Sequence, residues 1–245
     1  MNLAIDIGNT RAKFGVFKDG ALLYQETRKA ADPEYLLELA TNQKARNVIL
    51  SNVAGRVEEA VRSTLKQRFF YLELDAHTPL PIHNLYETPE TLGKDRLAAV
   101  AGAYGLFPGE NCLVVDAGTC ITYDVLRADG SYLGGNIAPG LAMRLRAMHT
   151  FTARLPLVAP GPMEEGWVGR STETALRYGA QAGVVLEAEG FIRHFRAVFG
   201  SLKVLFTGGD ADFFAKNMKS EIFVNHNLVL QGLDQILNYN VKRLE

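Results

Sequence analysis

Two short turns with the pattern Asp-x-Gly carry residues suited to binding the phosphates of a nucleotide. A glycine in a tight turn lets backbone N–H groups approach a phosphate closely, and a nearby threonine or lysine adds further donors. An aspartate at the end of a strand can lie beside the cation that accompanies a polyphosphate. The turns are Asp6-Ile7-Gly8-Asn9-Thr10-Arg11-Ala12-Lys13 and Asp116-Ala117-Gly118-Thr119. One such turn alone is more typical of a plain β-hairpin, so the interpretation depends on there being two.

The two turns belong to a repeat within the chain. Six residues of the first copy recur at a constant offset of 110 positions, in the pairs Leu3 and Leu113, Asp6 and Asp116, Gly8 and Gly118, Asp19 and Asp129, Gly20 and Gly130, and Leu23 and Leu133. Self-similarity at a fixed offset indicates a duplicated architecture. We therefore expect two related halves, each opening with a strand that ends in Asp-x-Gly, a tight turn and a returning strand. Two facing turns of this kind would form a cleft for a phosphorylated nucleotide.

A third candidate site is the segment Gly93-Lys94-Asp95-Arg96 at the start of a predicted helix. Free N–H groups at a helix N-terminus attract an anionic ligand, and Arg96 would add a positive charge. Asp95 is a candidate general base that accepts a proton from a substrate hydroxyl as it attacks a γ-phosphate. Aspartate is also a common N-cap residue, and from the residues alone that structural role is the stronger interpretation.

The composition makes several other classes of protein improbable. The chain has 245 residues, 47% of them hydrophobic and 22% charged, and its formal net charge of −1 gives no reason to expect nucleic acid as a partner. No apolar run approaches the ~20 residues of a membrane span. Strand-like sequence from Asn2 onward leaves no room for a signal peptide, so we expect a cytoplasmic protein without a membrane partner. Cys112 and Cys120 lie in apolar, strand-like segments, which predicts reduced core thiols.

The predicted elements that must position these residues form the same series in both halves of the chain. Each half has three strands, a helix, a strand and a helix. The predicted strands are 2–7, 12–17, 21–27, 47–52 and 69–74 in the first half, and 112–116, 121–126, 132–137, 203–207 and 222–224 in the second. A helix-forming stretch covers 97–104, a long helix covers 172–199, and proline-rich segments at 78–92 and 151–170 read as loops. This order predicts an α/β fold of two similar lobes, 1–108 and 109–245, each a mixed β-sheet with helices.

Together these motifs resemble the type III pantothenate kinases, within the superfamily of acetate and sugar kinases, heat-shock chaperones and actin-like ATPases. The resemblance covers the whole chain, and the combination and order of its motifs are specific, whereas Asp-x-Gly alone marks only the superfamily. The matching segments are the turns at 6–13 and 116–119, the helix start at 93–96, Gly-Gly-Asn-Ile-x-Pro-Gly at 134–140, and the Ser171-Thr172 pair. Cys120 stands where a small residue such as alanine is expected.

The resemblance implies an actin-like, ribonuclease H-like duplication with an ATP cleft between the lobes. It further implies ATP-dependent phosphorylation of pantothenate to 4'-phosphopantothenate, the first step of coenzyme A biosynthesis, with Asp95 as general base and magnesium bound with ATP. Asp116 would bind a monovalent cation, K⁺ or NH₄⁺. ATP would be held by Asp6, Ile7, Gly8, Asn9, Thr10, Arg11, Ala12, Lys13 and Thr119. Pantothenate would be held by Tyr86, Gly93, Lys94, Asp95, Arg96 and Thr172, the last from the second subunit of a homodimer that uses the long helix.

Two other functions stay open from the sequence. The first is another small-molecule kinase, or a phosphatase, that acts on a sugar or a carboxylic acid. The second is a nucleotide-switched regulatory protein, since actin-like folds also serve as sensors and filaments. A regulatory protein needs the ATP turns but has no need of the segment from Gly93 to Arg96, so that segment favours an enzyme.

Overall fold

The structure is a computed structural model that describes residues 1–8, 11–29, 33–52, 57, 59–163 and 166–244. In chain order its strands are β1 (Asn2–Ile7), β2 (Ala12–Lys18), β3 (Ala21–Arg28), β4 (Asn47–Asn52), β5 (Phe70–Glu73), β6 (His83–Asn84), β7 (Cys112–Ala117), β8 (Cys120–Leu126), β9 (Ser131–Pro139), β10 (Lys203–Thr207) and β11 (Phe223–Val224). Its helices are α1 (Pro33–Asn42), α2 (Glu59–Arg68), α3 (Lys94–Leu106), α4 (Leu141–Thr150), α5 (Thr172–Phe199), α6 (Ala211–Asn217) and α7 (Leu228–Lys242), with a 3₁₀ turn at Pro89–Thr91.

The residues group by their contacts into two units. The first unit comprises Met1–Gly109, Leu126–Gly134 and Asn227–Glu245, and the second comprises Glu110–Val125 and Gly135–His226. The segment that includes α7 belongs to the first unit because α7 packs on α3 and β1. The predicted division at residue 108 separates the two copies of the sequence repeat, and it stays a prediction.

The first unit is built on a five-stranded sheet with the order β3-β2-β1-β4-β5. β1 lies at its centre, antiparallel to β2 and parallel to β4, and both Leu3 and Ile5 are fully buried. A strand covered on both faces has a continuous apolar sequence, which explains the run of apolar residues before Asp6. Leu36 of α1 and Leu65 of α2 complete this core. The sheet therefore holds the end of β1, with Asp6, in a rigid position.

Helices α3 and α7 pack against each other in the first unit. A Cβ atom added to Gly102 of α3 would lie 2.5 Å from the carbonyl oxygen of Leu228, and one added to Gly232 of α7 would collide with the backbone of Ala98. Glycine at these two positions lets the helix backbones approach closely. This contact fixes α3 and, with it, the segment at its N-terminus.

The second unit contains strands in the order β11-β10-β7-β8-β9. β7 runs parallel to β10, and β10 runs parallel to β11. Helix α5 begins with a capping box, in which the Ser171 side chain accepts a hydrogen bond from the Thr174 N–H and the Thr174 side chain bonds back to the N-cap backbone. Val184 and Ile192 of α5 are buried against Val115 of β7 and its neighbours. Leu126 of β8 and the first residues of β9 group with the first unit, where β9 pairs with β6.

Most of the predicted elements agree with the observed ones to within a few residues. Three strands open each repeat as predicted, and the Asp19-Gly20 turn between β2 and β3 has positive φ angles of 52° and 80°. Helix α3 begins at Lys94, within the segment 93–96 that was predicted as the helix start, and Gly93 takes the N-cap position. The segment predicted as a loop at 78–92 contains β6 and the 3₁₀ turn. Among the described residues, none of the helices combines the length and the apolar character needed to cross a membrane.

The two cysteines lie in different environments, which corrects the prediction that both are core thiols. Cys112 is buried at the start of β7, and its burial, followed by the charge of Glu110, raises the pKa of the thiol to about 12. Cys120 is exposed because it is the first residue of β8, directly after the turn that contains Thr119. Both cysteines are free thiols.

Candidate functional site

The ends of three neighbouring strands bring polar side chains to Asp6. The antiparallel pairing of β1 with β2 puts Lys13 opposite Asp6, and the parallel pairing of β1 with β4 puts Ser51 opposite it on the other side. Paired residues on neighbouring strands lie on the same face of a sheet. The hydroxyl of Ser51 donates a hydrogen bond to Oδ1 of Asp6 over 2.9 Å. The carboxylate of Asp6 is therefore held by the sheet and not by a loop.

The pKa of the Asp6 carboxyl is raised from 3.8 to about 6. Burial is the largest cause, because it disfavours the charged form. The hydrogen bond from Ser51 lowers the pKa, the charge of Asp95 raises it, and the charge of Lys13 lowers it. Since Asp95 acts electrostatically on Asp6, the predicted phosphate-binding turn and the predicted general base are neighbours in the first unit. A carboxyl pKa shifted by burial and by a specific charged neighbour is typical of functional sites.

The start of α3 positions Asp95. Gly93 is the N-cap and Asp95 the second residue of the helix, so the role of Asp95 as the N-cap residue is not observed. Its Oδ1 accepts a hydrogen bond from the backbone N–H of Arg96 over 2.8 Å. A Cβ atom at Gly93 would lie 2.5 Å from that same Oδ1, so a larger residue there would displace the carboxylate. The Nζ of Lys94 donates to the carbonyl oxygen of Asn52 over 3.4 Å.

Arg96 and Tyr86 form the other part of the predicted substrate group. Arg96 is buried, and its guanidinium carbon lies 5.4 Å from the centroid of the Tyr86 ring. The Tyr86 ring is parallel to that of Tyr132, at a centroid distance of 6.4 Å. A Cβ atom at Gly134, where φ is 97°, would lie 2.9 Å from the Tyr86 ring. Five of the predicted pantothenate residues therefore lie in the first unit, in the segments before and at the start of α3.

The remaining residues of the first turn contribute mainly through their backbone. Ile7 and Ala12 are buried in the core of the first unit, so only their peptide groups could meet a nucleotide. The N–H of Gly8 donates to the carbonyl oxygen of Arg11 over 3.0 Å, which closes the turn. Arg11 is exposed. Asn9 and Thr10 lie outside the described residues.

The second turn, in the second unit, is also closed by a hydrogen bond from the backbone N–H of its glycine. The N–H of Gly118 donates to the carbonyl oxygen of Cys120 over 2.9 Å, and Thr119 is exposed. Gly140 packs on this turn, donating to the carbonyl oxygen of Thr119 over 3.1 Å, and a Cβ atom there would collide with Gly118. Gly140, the last residue of the segment 134–140, must therefore be a glycine, because the turn leaves no room for a side chain there.

Asp116 lies at the end of β7, where the parallel register pairs it with Thr207 of β10. The Thr207 hydroxyl is buried and has no hydrogen-bond partner. Gly208 has a φ of 90°, and a Cβ atom there would collide with the Asp116 carboxylate. A carboxylate and a buried hydroxyl oxygen on neighbouring strands suit a hard cation, which prefers oxygen ligands. Among the described residues, no group of three or more His, Cys, Asp or Glu side chains is arranged to hold a metal ion.

Thr172, the last predicted substrate residue, belongs to the second unit. It is exposed at the first position of α5, next to the Ser171 N-cap. A cavity of about 260 Å³ in the first unit is lined by Lys94 and, among others, Asp75, His77, Glu90 and Leu97. Lys94 is the one predicted site residue among those that line it, so this cavity lies beside the Tyr86, Asp95 and Arg96 group.

Three side chains at these positions were not predicted from the sequence, namely Ser51, Tyr132 and Thr207. Each depends on pairing between distant segments, which the sequence does not specify. The one available signal was a polar residue near the end of an otherwise apolar strand, as in the sequence of β4 around Ser51 and of β10 around Thr207.

Known proteins similar to this chain share one description. The model of a family described as type III pantothenate kinase matches residues 2–194. A type III pantothenate kinase of Bacteroides fragilis is 46% identical over 245 residues, which cover 100% of both chains. A crystal structure of a conserved Campylobacter jejuni protein, assigned to the Baf family of transcriptional activators, is 25% identical with a TM-score of 0.64 and covers 98% of this chain and 99% of its own.

More distant structures share the fold alone. A ROK hexokinase from Thermus thermophilus is 14% identical with a TM-score of 0.53, and the match covers 98% of this chain and 99% of the hexokinase. The likeness to this sugar kinase and the two mixed sheets confirm the predicted α/β fold class.

Proposed function

Because the chain belongs to the type III pantothenate kinase family, we propose that it phosphorylates pantothenate with ATP to give 4'-phosphopantothenate, the first step of coenzyme A biosynthesis. Family membership makes the chain a phosphotransferase that uses ATP with a divalent metal. The finer proposal concerns the residues that carry the reaction, the monovalent cation, the homodimer and a cytoplasmic location.

The observation that carries the proposal is the proximity of Asp95 to Asp6, whose carboxyl pKa the charge of Asp95 raises. In an in-line transfer, Asp95 accepts the proton of the primary hydroxyl while the hydroxyl oxygen attacks the γ-phosphorus. A bond forms between this oxygen and phosphorus as the bond from phosphorus to the bridging oxygen of ADP breaks. Magnesium bound with ATP would neutralise part of the phosphate charge. A base that neighbours the phosphate turn suits this geometry, because the attacked phosphate and the hydroxyl must meet there.

The phosphates themselves are bound, in this proposal, by the turn from Asp6 to Lys13 and by Thr119. Lys13 brings an ammonium to the same face as Asp6, and the peptide N–H groups of the turn provide neutral donors. Arg96 and the N-terminus of α3 bind the anionic end of pantothenate or the charge that develops on the phosphate. Tyr86, Gly93 and Lys94 complete the wall of the acceptor site.

We assign the monovalent cation, K⁺ or NH₄⁺, to Asp116. The neighbouring buried hydroxyl of Thr207, which has no hydrogen-bond partner, supports this assignment because it offers a second oxygen.

A homodimer is supported by one face of α5. Gly179, Gly183, Leu186 and Gly190 are spaced by four, three and four residues, which puts them on one side of the helix. Leu186 is 61% exposed, and apart from the adjacent backbone of α5 itself, no atom of the described residues would come within 4 Å of a Cβ at Gly179 or Gly190. Small residues around an exposed leucine suit close packing against a second copy of α5. Thr172, at the start of the same helix, would then serve the site of the partner.

The experiment that tests the function measures ADP release from MgATP with and without pantothenate, in potassium buffer and in sodium buffer. Release that needs both pantothenate and potassium is the expected result. Release without any pantothenate dependence would contradict the substrate assignment and favour another acceptor. Release that is equal in sodium and potassium would contradict the monovalent cation.

The role of Asp95 is tested by Asp95→Asn, which we expect to lower turnover by about 100-fold or more, as for loss of a general base. The matched control is Asp212→Asn, since Asp212 is also the second residue of a helix and, unlike the half-buried Asp95, is exposed. The control should keep its turnover. Unchanged turnover in Asp95→Asn would leave Asp95 with a structural role at the helix start.

A second candidate function is regulatory, and the naming of the Campylobacter jejuni protein as a transcriptional activator favours it. A nucleotide-switched regulator would bind ATP without pantothenate-dependent turnover. Absence of ADP release under all four conditions, together with measurable ATP binding, would therefore support this candidate over the kinase.

A further inference from the structure

Ser51 is a fully buried polar residue in an apolar strand. β4 has the sequence Asn-Val-Ile-Leu-Ser-Asn, and the accessible fraction of Ser51 is 0%. A buried hydroxyl costs free energy unless it is hydrogen-bonded. The Ser51 hydroxyl donates to Oδ1 of Asp6 over 2.9 Å, and an ionised carboxylate can only accept such a bond.

The geometry of this hydrogen bond is set by the sheet. Ser51 and Asp6 are register partners of two parallel central strands, so their distance does not depend on a mobile loop. The next residue, Asn52, accepts a hydrogen bond from Lys94 through its carbonyl oxygen. The end of β4 therefore contacts both Asp6 and the start of α3, which carries Asp95.

We infer that Ser51 is a positioning residue of the phosphoryl-transfer site, whose hydroxyl keeps the Asp6 carboxylate ionised and correctly oriented beside Asp95. This inference rests on the proposed function, because it assigns Asp6 to the MgATP site. Ser51 itself touches neither substrate nor the transferred phosphate in this account.

The charges around Asp6 explain why such a residue is needed. Burial and the charge of Asp95 favour protonated Asp6, whereas the Ser51 hydrogen bond and the charge of Lys13 favour the ionised form. The hydrogen bond from Ser51 lowers the pKa of Asp6 more than the charge of Lys13 does. Without it, Asp6 holds a proton at a higher pH, and a neutral Asp6 no longer attracts the cation that accompanies ATP.

The test compares Ser51→Ala, Ser51→Thr and the wild type by MgATP affinity between about pH 5 and pH 9. In the wild type, affinity is expected to fall as Asp6 becomes protonated. In Ser51→Ala the midpoint of this fall should move up by about one pH unit, so that affinity drops about twofold near pH 7 and close to tenfold near pH 5, and recovers at higher pH. Ser51→Thr keeps the hydroxyl and should restore the wild-type midpoint.

The control variant is Thr122→Val, which removes a buried strand hydroxyl that has no hydrogen-bond partner and should leave the midpoint unchanged. An unchanged midpoint in Ser51→Ala would overturn the inference, as would a loss of affinity that is equal at every pH. Because the readout is MgATP binding, it does not require pantothenate turnover. A failure of the proposed kinase activity is therefore distinguishable from a failure of the role of Ser51.

Discussion

Asp6 shows, at the scale of a single residue, a conflict between function and stability. Its pKa is raised from 3.8 to about 6 in the folded protein, so the folded state binds the proton more tightly than the unfolded state does. Stability therefore falls as pH rises between these two values, and the cost is fully present above about pH 6. At neutral pH the ionised carboxylate that the proposed reaction needs is a destabilising group.

We predict that Asp6→Asn is more stable than the wild type at pH 8 by about 2 kcal/mol, because the amide cannot ionise. The difference should shrink as pH falls and vanish below about pH 3, where Asp6 is protonated in both states of the wild type. Thermal unfolding at the two pH values measures this, with an expected rise of the melting temperature of roughly 4 to 8 °C at pH 8. Turnover should fall in the same variant.

The matched control for this prediction is Asp19→Asn. Asp19 is an exposed aspartate in a hairpin turn with a φ of 52°, a conformation that asparagine also adopts readily. It should change stability little at either pH. If Asp6→Asn were less stable than the wild type at pH 8, the hydrogen bond from Ser51 would outweigh the burial of the charge.

The sequence predicted the chemical groups of the site better than their partners. Asp6, Lys13 and Asp95 were identified from motifs, and the structure brings these three together. Ser51 was missed because its link to Asp6 depends on the parallel register of two strands that are 45 residues apart in sequence. A repeated motif specifies which residues are special, whereas strand register arises from packing of the whole sheet.

At the scale of an element, α3 connects the core to the site. Its first turn carries Asp95 and Arg96, and its later turns pack on α7 through Gly102. The sequence predicted the helix from its alanine-rich centre and placed its start in the segment from Gly93 to Arg96, which is where the helix begins. The sequence could not predict the close approach of α7, since no short-range pattern links positions more than a hundred residues apart.

We predict that Gly102→Ala destabilises the protein by about 1 to 3 kcal/mol, the usual range for overpacking. The added Cβ would lie 2.5 Å from the carbonyl oxygen of Leu228, and that backbone cannot rotate away. Turnover should fall as well, because displacement of α3 also moves Asp95. Urea unfolding and ADP release measure the two effects.

Gly105→Ala in the same helix is the control for this prediction. A Cβ atom there also meets a close atom, 2.5 Å away, but it is the end of the flexible Gln235 side chain, which can move. Because alanine favours helix more than glycine does, this variant should be equal in stability or more stable by up to about 1 kcal/mol. Equal losses in both variants would show that tight backbone packing is not the cause.

At the scale of the whole molecule, the repeat predicted a duplicated α/β fold, and the likeness to kinases of this fold confirms the class. The repeat did not predict where the last helix packs, because α7 follows the second copy in sequence but contacts α3 and β1. Assembly is a further step beyond the fold of one chain. The proposed dimer would use the face of α5 on which Leu186 is 61% exposed.

We predict that Leu186→Arg converts the proposed dimer to monomers, since a charge at the centre of an apolar interface is costly. Val198→Arg is the matched control, because Val198 is 58% exposed on the same helix but lies about a third of a turn away from Leu186 around the axis. Light scattering after size-exclusion chromatography measures the mass of each. A wild-type monomer, or a dimer in Leu186→Arg, would contradict an interface on this face.

A mixed dimer tests whether Thr172 serves the partner. Co-expression of Asp95→Asn and Thr172→Ala chains gives mixed dimers in about half of the population if subunits pair at random. If each site takes Asp95 from one chain and Thr172 from the other, one of the two sites in a mixed dimer combines both defects and the second has neither. Activity should then recover to about a quarter of the wild-type value. If Thr172 serves its own chain, every site keeps a defect and no recovery occurs, so the result decides whether the site depends on the dimer.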